Sequence, residues 1–145
     1  MPTAPLHLAQ LVVSAALAGL CWTVQLAVYP RFGHLRRAAG SEAFRVYHAA
    51  YTRGMGWVAG PLMVAELGLS IAVLVAERVS GSTVAGLVLT LVTWGWTFAF
   101  MVPRHAKLQA TADAAEADRL AGWNWPRTVV WTLRTGLAAF AAGGG

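Results

Sequence analysis

Glu66 stands alone in a long apolar run. The stretch from Trp57 to Ala76 (WVAGPLMVAELGLSIAVLVA) holds twenty residues and one charge, placed at its middle. As a helix it rises about 30 Å, enough to cross the hydrocarbon core of a bilayer. An acid at that depth costs about 2.5–3.5 kcal/mol on insertion scales, so it must face protein or water. It is then either a general acid or base, or an acid held in place to pack helices. Arg134 is its natural partner. It lies nine residues past Trp125, as Glu66 lies nine past Trp57. Both are therefore about 13 Å from the same end, and pairing them offsets part of the cost of burying each.

Other polar and aromatic residues converge at helical spacing. Trp22, Gln25 and Tyr29 share one face of the first apolar run. Met63, Glu66 and Ser70 share another, as do Thr90, Thr93, Trp94, Thr97 and Met101, and then Asn124, Arg127, Trp131 and Arg134. Side chains three, four and seven apart stack on one helix face. Four such stripes turned inward line one cavity, open toward the cytoplasm, with Glu66 and Arg134 near its floor. Glu66, Arg134 and His48 are the candidate catalytic residues. Trp22, Gln25, Tyr29, Trp94, Asn124, Arg127 and Trp131 are candidates to hold the substrate. Blander roles stand beside these: the threonines as helix glue, Arg127 on lipid phosphate, the tryptophans as an interfacial belt.

His48 and His105 fall near the mouth of that cavity, and imidazole with carboxylate suits iron, zinc or copper. Yet no His-x-x-His, Glu-x-x-His or His-x-x-x-His spacing occurs, and Glu66 is too deep to join both histidines. The cofactor is therefore unassigned: a metal or a haem is compatible with the residues, and no motif calls for either. His34 reads as a loop residue and His7 as an outer-face residue. No phosphate loop, nucleophile elbow or zincin motif is present.

The elements that must position these residues follow from hydropathy. Of the 145 residues 57% are hydrophobic and only 12% charged, about half the charge of a soluble domain. One transmembrane domain over 1–145 is expected, all-α, with spans near 6–29, 57–76, 82–102 and 125–142. Pro30 and Pro103 close the first and third spans; Asn124 caps the fourth and Pro126 opens it. The link from Glu77 to Gly81 is short and forces a hairpin. The result is a four-helix up-down-up-down bundle with cytoplasmic helical extensions. One extension runs from Ser41 to Tyr51, with Phe44, Tyr47, His48 and Tyr51 on a single face. The other, Arg104 to Leu120, is Ala-rich and mixed in charge, and reads as a solvated arm.

Orientation follows from the basic residues. Arg31, Arg36, Arg37, Arg45 and Arg53 lie in the first loop and Arg104, Lys107 and Arg119 in the third; the second carries only Arg78. The positive-inside rule puts both long loops in the cytoplasm and both termini outside, so the expectation is a multi-pass protein of the bacterial inner membrane with periplasmic termini. The net charge of +5 thus answers to anionic lipid, and no nucleic-acid partner is expected. Cys21 is the only cysteine, which rules out an internal disulfide. The first span lacks a basic leader and reads as retained. Gly143 to Gly145 carry no signal. The partners expected are the bilayer and a small lipophilic ligand, with self-association into a homo-oligomer left open.

One pattern carries a likeness. It is W22-x-x-Q25…Y29-P30-x-F32, Y47-H48…P61…E66, V102-P103-x-H105-x-x-L108 and N124-W125-x-R127-T128-x-x-W131-x-x-R134. The chain resembles small four-span bacterial membrane proteins of uncharacterised function and, more loosely, the anthrone-oxygenase-like family. The resemblance implies oxidation of a reduced aromatic polyketide-type substrate by O2, with no established cofactor. Tyr29-Pro30-Arg31 after a Trp-bearing span is also similar to bacterial protoporphyrinogen oxidase. That family places a histidine about two turns before its tryptophan, where Ala15 stands here, so haem of that kind is not implied. Three functions remain: an oxidoreductase acting on a flat or lipophilic substrate, a proton-coupled carrier using Glu66, or a non-catalytic assembly partner.

Overall fold

A computed structural model describes residues 3–77 and 79–144; Arg78 and Gly145, both invoked above, fall outside them. The chain is all-helical, in the order α1 (Ala4–Thr23), a π-helical turn (Val24–Val28), α2 (Tyr29–Ala76), α3 (Gly81–Trp96), a second π-helical turn (Thr97–Met101), α4 (Val102–Thr111) and α5 (Ala114–Ala142). These join into three continuous helical stretches, where the sequence predicts four separate spans. The reason lies in the prolines. Pro30 and Pro103 do not close their helices. Each follows a π turn in which an amide reaches back five residues, Tyr29 N–H to the Val24 carbonyl and Val102 N–H to the Thr97 carbonyl. The wider turn makes room where the proline ring would collide with the carbonyl four residues back.

Gly40 breaks the first stretch. Its φ of 85° and ψ of 172° lie where an L side chain is strained, inside an otherwise helical run from Tyr29 to Ala76. The chain doubles back there, pairing positions nearly equidistant from the glycine. Phe32 meets His48 at a ring separation of 5.7 Å, and Tyr29 meets Tyr51 at 6.2 Å. Farther along, Gln10 Nε2 donates to Ser70 Oγ at 3.3 Å. The two arms are therefore antiparallel.

Ser80 and Thr83 cap the start of α3 reciprocally, each side chain accepting from the other's amide. At the other end of that stretch Ala112 takes φ 48°, and Asp113 caps α5 by accepting from Ala115 N at 2.9 Å. Asn124 is thus not a cap, because α5 begins ten residues earlier, and Pro126 lies inside it. The segment Arg104–Leu120 is not a solvated arm either. Leu108, Ala112 and Ala117 are fully buried together with Phe32, Phe44 and Met101. Glu116, itself buried, ties α4 to α5 through Arg104 at 2.6 Å and Lys107 at 3.0 Å.

Many polar residues lie inside beside the apolar core, and many large apolar ones lie outside. Gln10, Ser14, Gln25, His48, Glu66, Thr90, Asn124, Thr128 and Arg134 are buried, while Leu8, Val12, Leu26, Val64, Ile71, Val88, Leu133 and Phe140 are exposed. Two stretches, Ala4–Ala76 and Gly81–Thr111, are long and apolar enough to cross a membrane.

The Gly40 conformation is nearly exclusive to glycine, and a side chain there meets no neighbour, so the penalty of replacing it is conformational. Gly40→Ala is expected to destabilise by about 1–3 kcal/mol. Gly54→Ala, also facing open space but mid-helix, is expected to be neutral or stabilising by up to about 1 kcal/mol. Thermal unfolding of the two purified variants makes the comparison.

Candidate functional site

Two polar centres occupy the interior, far apart. Glu66 and His48 lie eighteen residues apart on α2, about 27 Å at 1.5 Å per residue. The single cavity of the sequence reading is therefore divided. Between the two centres lies an apolar layer of Leu17, Ala18, Cys21, Met63 and Trp131.

The first centre is the expected ion pair. Arg134 Nη2 lies 2.8 Å from Glu66 Oε1, and both side chains are at most 2% exposed. Neither carboxylate oxygen has a well-directed hydrogen bond, so attraction of opposite charges is the main contact. Arg134 also reaches Thr90 Oγ1 through Nε and Ser70 Oγ through Nη2, each at 3.4 Å. A cavity of about 340 Å³ comes down to Arg134, lined also by His7, Gln10, Ser70, Glu77 and Gly86. It opens at the end where the chain termini and the α2–α3 link lie. The sequence reading put the mouth at the long-loop end; that is corrected. His7, unremarkable in the sequence, bonds Glu77 at its rim.

The second centre lies where the first π turn delivers Tyr29 and the second delivers His105. The Tyr29 hydroxyl is 2.9 Å from His105 Nε2, His105 Nδ1 is 2.9 Å from His48 Nε2, and His48 Nδ1 is 2.7 Å from Gln109 Oε1. Gln109 Nε2 donates to the Arg45 carbonyl at 3.2 Å. That last bond orients the whole chain, because a carbonyl only accepts. Gln109 must present its oxygen to His48, so His48 carries its proton on Nδ1 and accepts at Nε2. His105 then carries its proton on Nδ1 and accepts from the Tyr29 hydroxyl. Every proton in the relay points away from Tyr29. Phe32 and Phe44 pack against His48, and Tyr51 closes the side next to His105. Burial holds the His48 proton affinity below the usual imidazole range. The same cause first, and then the positive charge of Arg127, holds His105 down to about 3. Both rings are therefore neutral.

As arranged, these histidines do not offer two ligands to one metal, because the His48 Nε2 lone pair is engaged by the His105 N–H. No group of three or more His, Cys, Asp and Glu residues converges among the described residues.

The remaining expected site residues sort by geometry. Gln25 and Asn124 come together, but they engage each other: Asn124 Nδ2 donates to Gln25 Oε1 at 3.0 Å, and Gln25 Nε2 donates to the Ala121 carbonyl at 3.0 Å. They clamp the first π turn to α5 and are not free to hold a ligand. Arg127 donates to Asn124 Oδ1 at 3.3 Å, its Nε is buried without a partner, and it has no carboxylate partner among the described residues. The Tyr51 hydroxyl is also buried without a partner. Trp22 faces outward, donating to Thr132 and packing edge-on against Trp125. Trp131 is fully buried and Trp94 half-buried in or against the apolar layer, and neither lines the cavity.

Gln109 and Tyr51 join the site only in the folded chain. His105 and Gln109 stand four apart on one helix face, the signal that could have found the former, had the segment not been read as solvated. No family model, no curated protein and no solved structure matches the chain.

Two outcomes follow. Glu66→Gln or Arg134→Gln strands a buried charge and is expected to cost about 3–5 kcal/mol, whereas the double substitution costs much less than the sum. Thermal unfolding of all three variants checks this. Folded His48 and His105 bind protons less readily than in the unfolded chain, where imidazole titrates near about 6.5. Their contribution to stability is thus present above that value and is lost as pH falls below it. Unfolding measured from neutral to acidic pH is expected to show this decline, and His105→Gln to flatten it.

Proposed function

We propose that this chain is an integral membrane oxidoreductase, a four-helix up-down-up-down bundle that uses the Tyr29 relay on a flat, lipophilic hydroxy-aromatic substrate. The observation that carries the reading is the one-directional hydrogen-bonded chain from Tyr29 through both histidines to Gln109, beside the unpartnered Arg127 Nε and Tyr51 hydroxyl. The apolar exterior supports insertion, and reversal at Gly40 supports four spans with long-loop extensions. Exposed Trp57, Trp22 and Trp125 stand near one level of the bundle, as residues of an interfacial belt would. The relay then lies beyond that belt, with Tyr29 its end nearest the hydrocarbon. The basic residues of that end make it cytoplasmic, with both termini periplasmic.

In this reading a substrate reaches Tyr29 from the membrane edge. Its acidic proton passes to the Tyr29 oxygen as the Tyr29 proton moves to His105 Nε2. His105 in turn hands its Nδ1 proton to His48, whose imidazolium is held by the Gln109 carbonyl oxygen. Arg127 holds the resulting anion, which is the form that O2 attacks. With an anthrone-type CH2 group the carbanion takes up O2, the peroxide regains the proton, and loss of water leaves a ketone. Positioned proton transfer of this kind contributes about 10²–10⁴ in rate.

A second reading, a proton-coupled carrier, is favoured by the cavity that descends to Arg134. The guanidinium 2.8 Å from Glu66 weighs against it, since it competes with any cation for the carboxylate.

Oxygen uptake with 1,8-dihydroxyanthrone in vesicles containing the protein is expected to exceed that of empty vesicles and to fall about a hundredfold or more in Tyr29→Phe. Uptake equal to empty vesicles, or unchanged in Tyr29→Phe, overturns the enzyme reading. Proton-driven solute uptake that is lost in Glu66→Gln favours the carrier.

A further inference from the structure

The cavity at the termini end plays no part in the relay chemistry, which lies about 27 Å away along α2. Its floor is Arg134, 2% exposed. Among the described residues no hydrogen-bond partner faces Nη1, the other two nitrogens being directed at Thr90, Ser70 and Glu66. The guanidinium lies against Gly86, where a methyl group would come 3.4 Å from Cζ. A longer side chain at Gly86 would extend over the guanidinium; glycine leaves it uncovered.

One helical turn from Gln10 on α1 stands His7, 8% exposed, with Nε2 on Glu77 and Nδ1 buried without a partner. Facing polar walls come from Gln10, Ser70, Ser82 and Thr83, and a short apolar wall from Val73, Leu137 and Ala138. The polar groups are therefore not evenly spread. A fixed positive charge with one unengaged nitrogen, Nη1, lies at the bottom, and an unengaged imidazole nitrogen lies on α1 one turn beyond Gln10, which bonds the same Ser70 hydroxyl as Arg134. Glu77 adds an acceptor at the rim. A volume near 340 Å³ is within the range of small-molecule pockets, about 300–1,000 Å³.

We infer that this cavity is a binding site for a small carboxylic acid bearing an adjacent hydroxyl or amino donor, its carboxylate on Arg134 and its donor on His7 and Glu77. The unengaged Nη1 donates to a carboxylate oxygen, and the Glu66 and Ser70 contacts at Nη2 keep the guanidinium from turning away. The acceptors above favour a ligand with an N–H or O–H over a plain acid, because an unsatisfied buried acceptor is costly. Glu77 at the rim disfavours a second negative charge. The ligand needs no chemistry from the relay, so the site stands whether or not the proposed oxidation is correct.

The test is calorimetric titration of the purified full chain with lactate and L-serine, against acetate, ethanolamine and inorganic phosphate. Lactate or serine is expected to bind saturably and about tenfold more tightly than acetate, with no binding of ethanolamine. Gly86→Leu, which fills the space over the guanidinium, is expected to abolish binding, and Gly86→Ala to retain it. His7→Leu is expected to lower affinity for lactate or serine to that for acetate. Absence of binding by both donor-bearing acids overturns the inference, as does binding that survives Gly86→Leu or phosphate that binds as well as lactate. These readouts are independent of oxygen uptake, so failure here and failure of the relay are separable.

Discussion

Polar groups enclosed by an apolar exterior must find their partners inside the molecule, and that requirement organises this structure. An unpaired buried donor or acceptor costs about 1–3 kcal/mol, and an unpaired buried charge more. The interior meets the demand in three places: Glu66 with Arg134, Gln25 with Asn124, and the file from Tyr29 to Gln109. The exceptions matter as much. Glu66 is held by charge alone, both its oxygens lacking a directed hydrogen bond; Arg45 Nε, the Tyr51 hydroxyl, Arg127 Nε and His7 Nδ1 also remain unengaged, the last three bordering the two places proposed to take a ligand. The indole nitrogens of Trp94 and Trp131 are also unengaged, at the apolar layer; no ligand role follows from them.

Backbone irregularity does the positioning. Each π turn carries one residue more than an α turn and shifts the register of everything beyond it, just ahead of a proline that a regular helix would resist. The first such turn holds Gln25, clamped to α5, and leads directly into Tyr29. The second leads through Pro103 to His105. Tyr29 and His105 thus meet because two helices are wound differently at matching places. Phe32 and Phe44 then pack against His48, which is fully buried.

The apolar layer between the centres has its own consequence. It separates an ion pair reached from one end from a relay lying at the other. The Tyr29 hydroxyl is thereby insulated from the Glu66 carboxylate, so the two acids need not share a function. Arg134 is held by three neighbours and uncovered toward the cavity, a preorganised arrangement for recognition.

Much was legible in the chain itself. A charge in the middle of an apolar run must be paired inside, and equal spacing from Trp57 and Trp125 identified Arg134 as the partner of Glu66. The all-helical class and the inward stripes of Gln25, Asn124 and Thr90 followed from periodicity, since a stripe on one helix face is a local property. What periodicity cannot carry is which stripes meet, and in what register. Pro30 and Pro103 read as helix ends because a π turn has no sequence signature. Arg104–Leu120 read as solvated because alanines are silent about what covers them. Only the reversal at Gly40 and the return of α4 onto α2 brought His48, His105 and Gln109 into line. Only the stacking of layers along the helices divided one expected cavity into two centres, because contacts between residues distant in the chain depend on how whole helices are wound and turned.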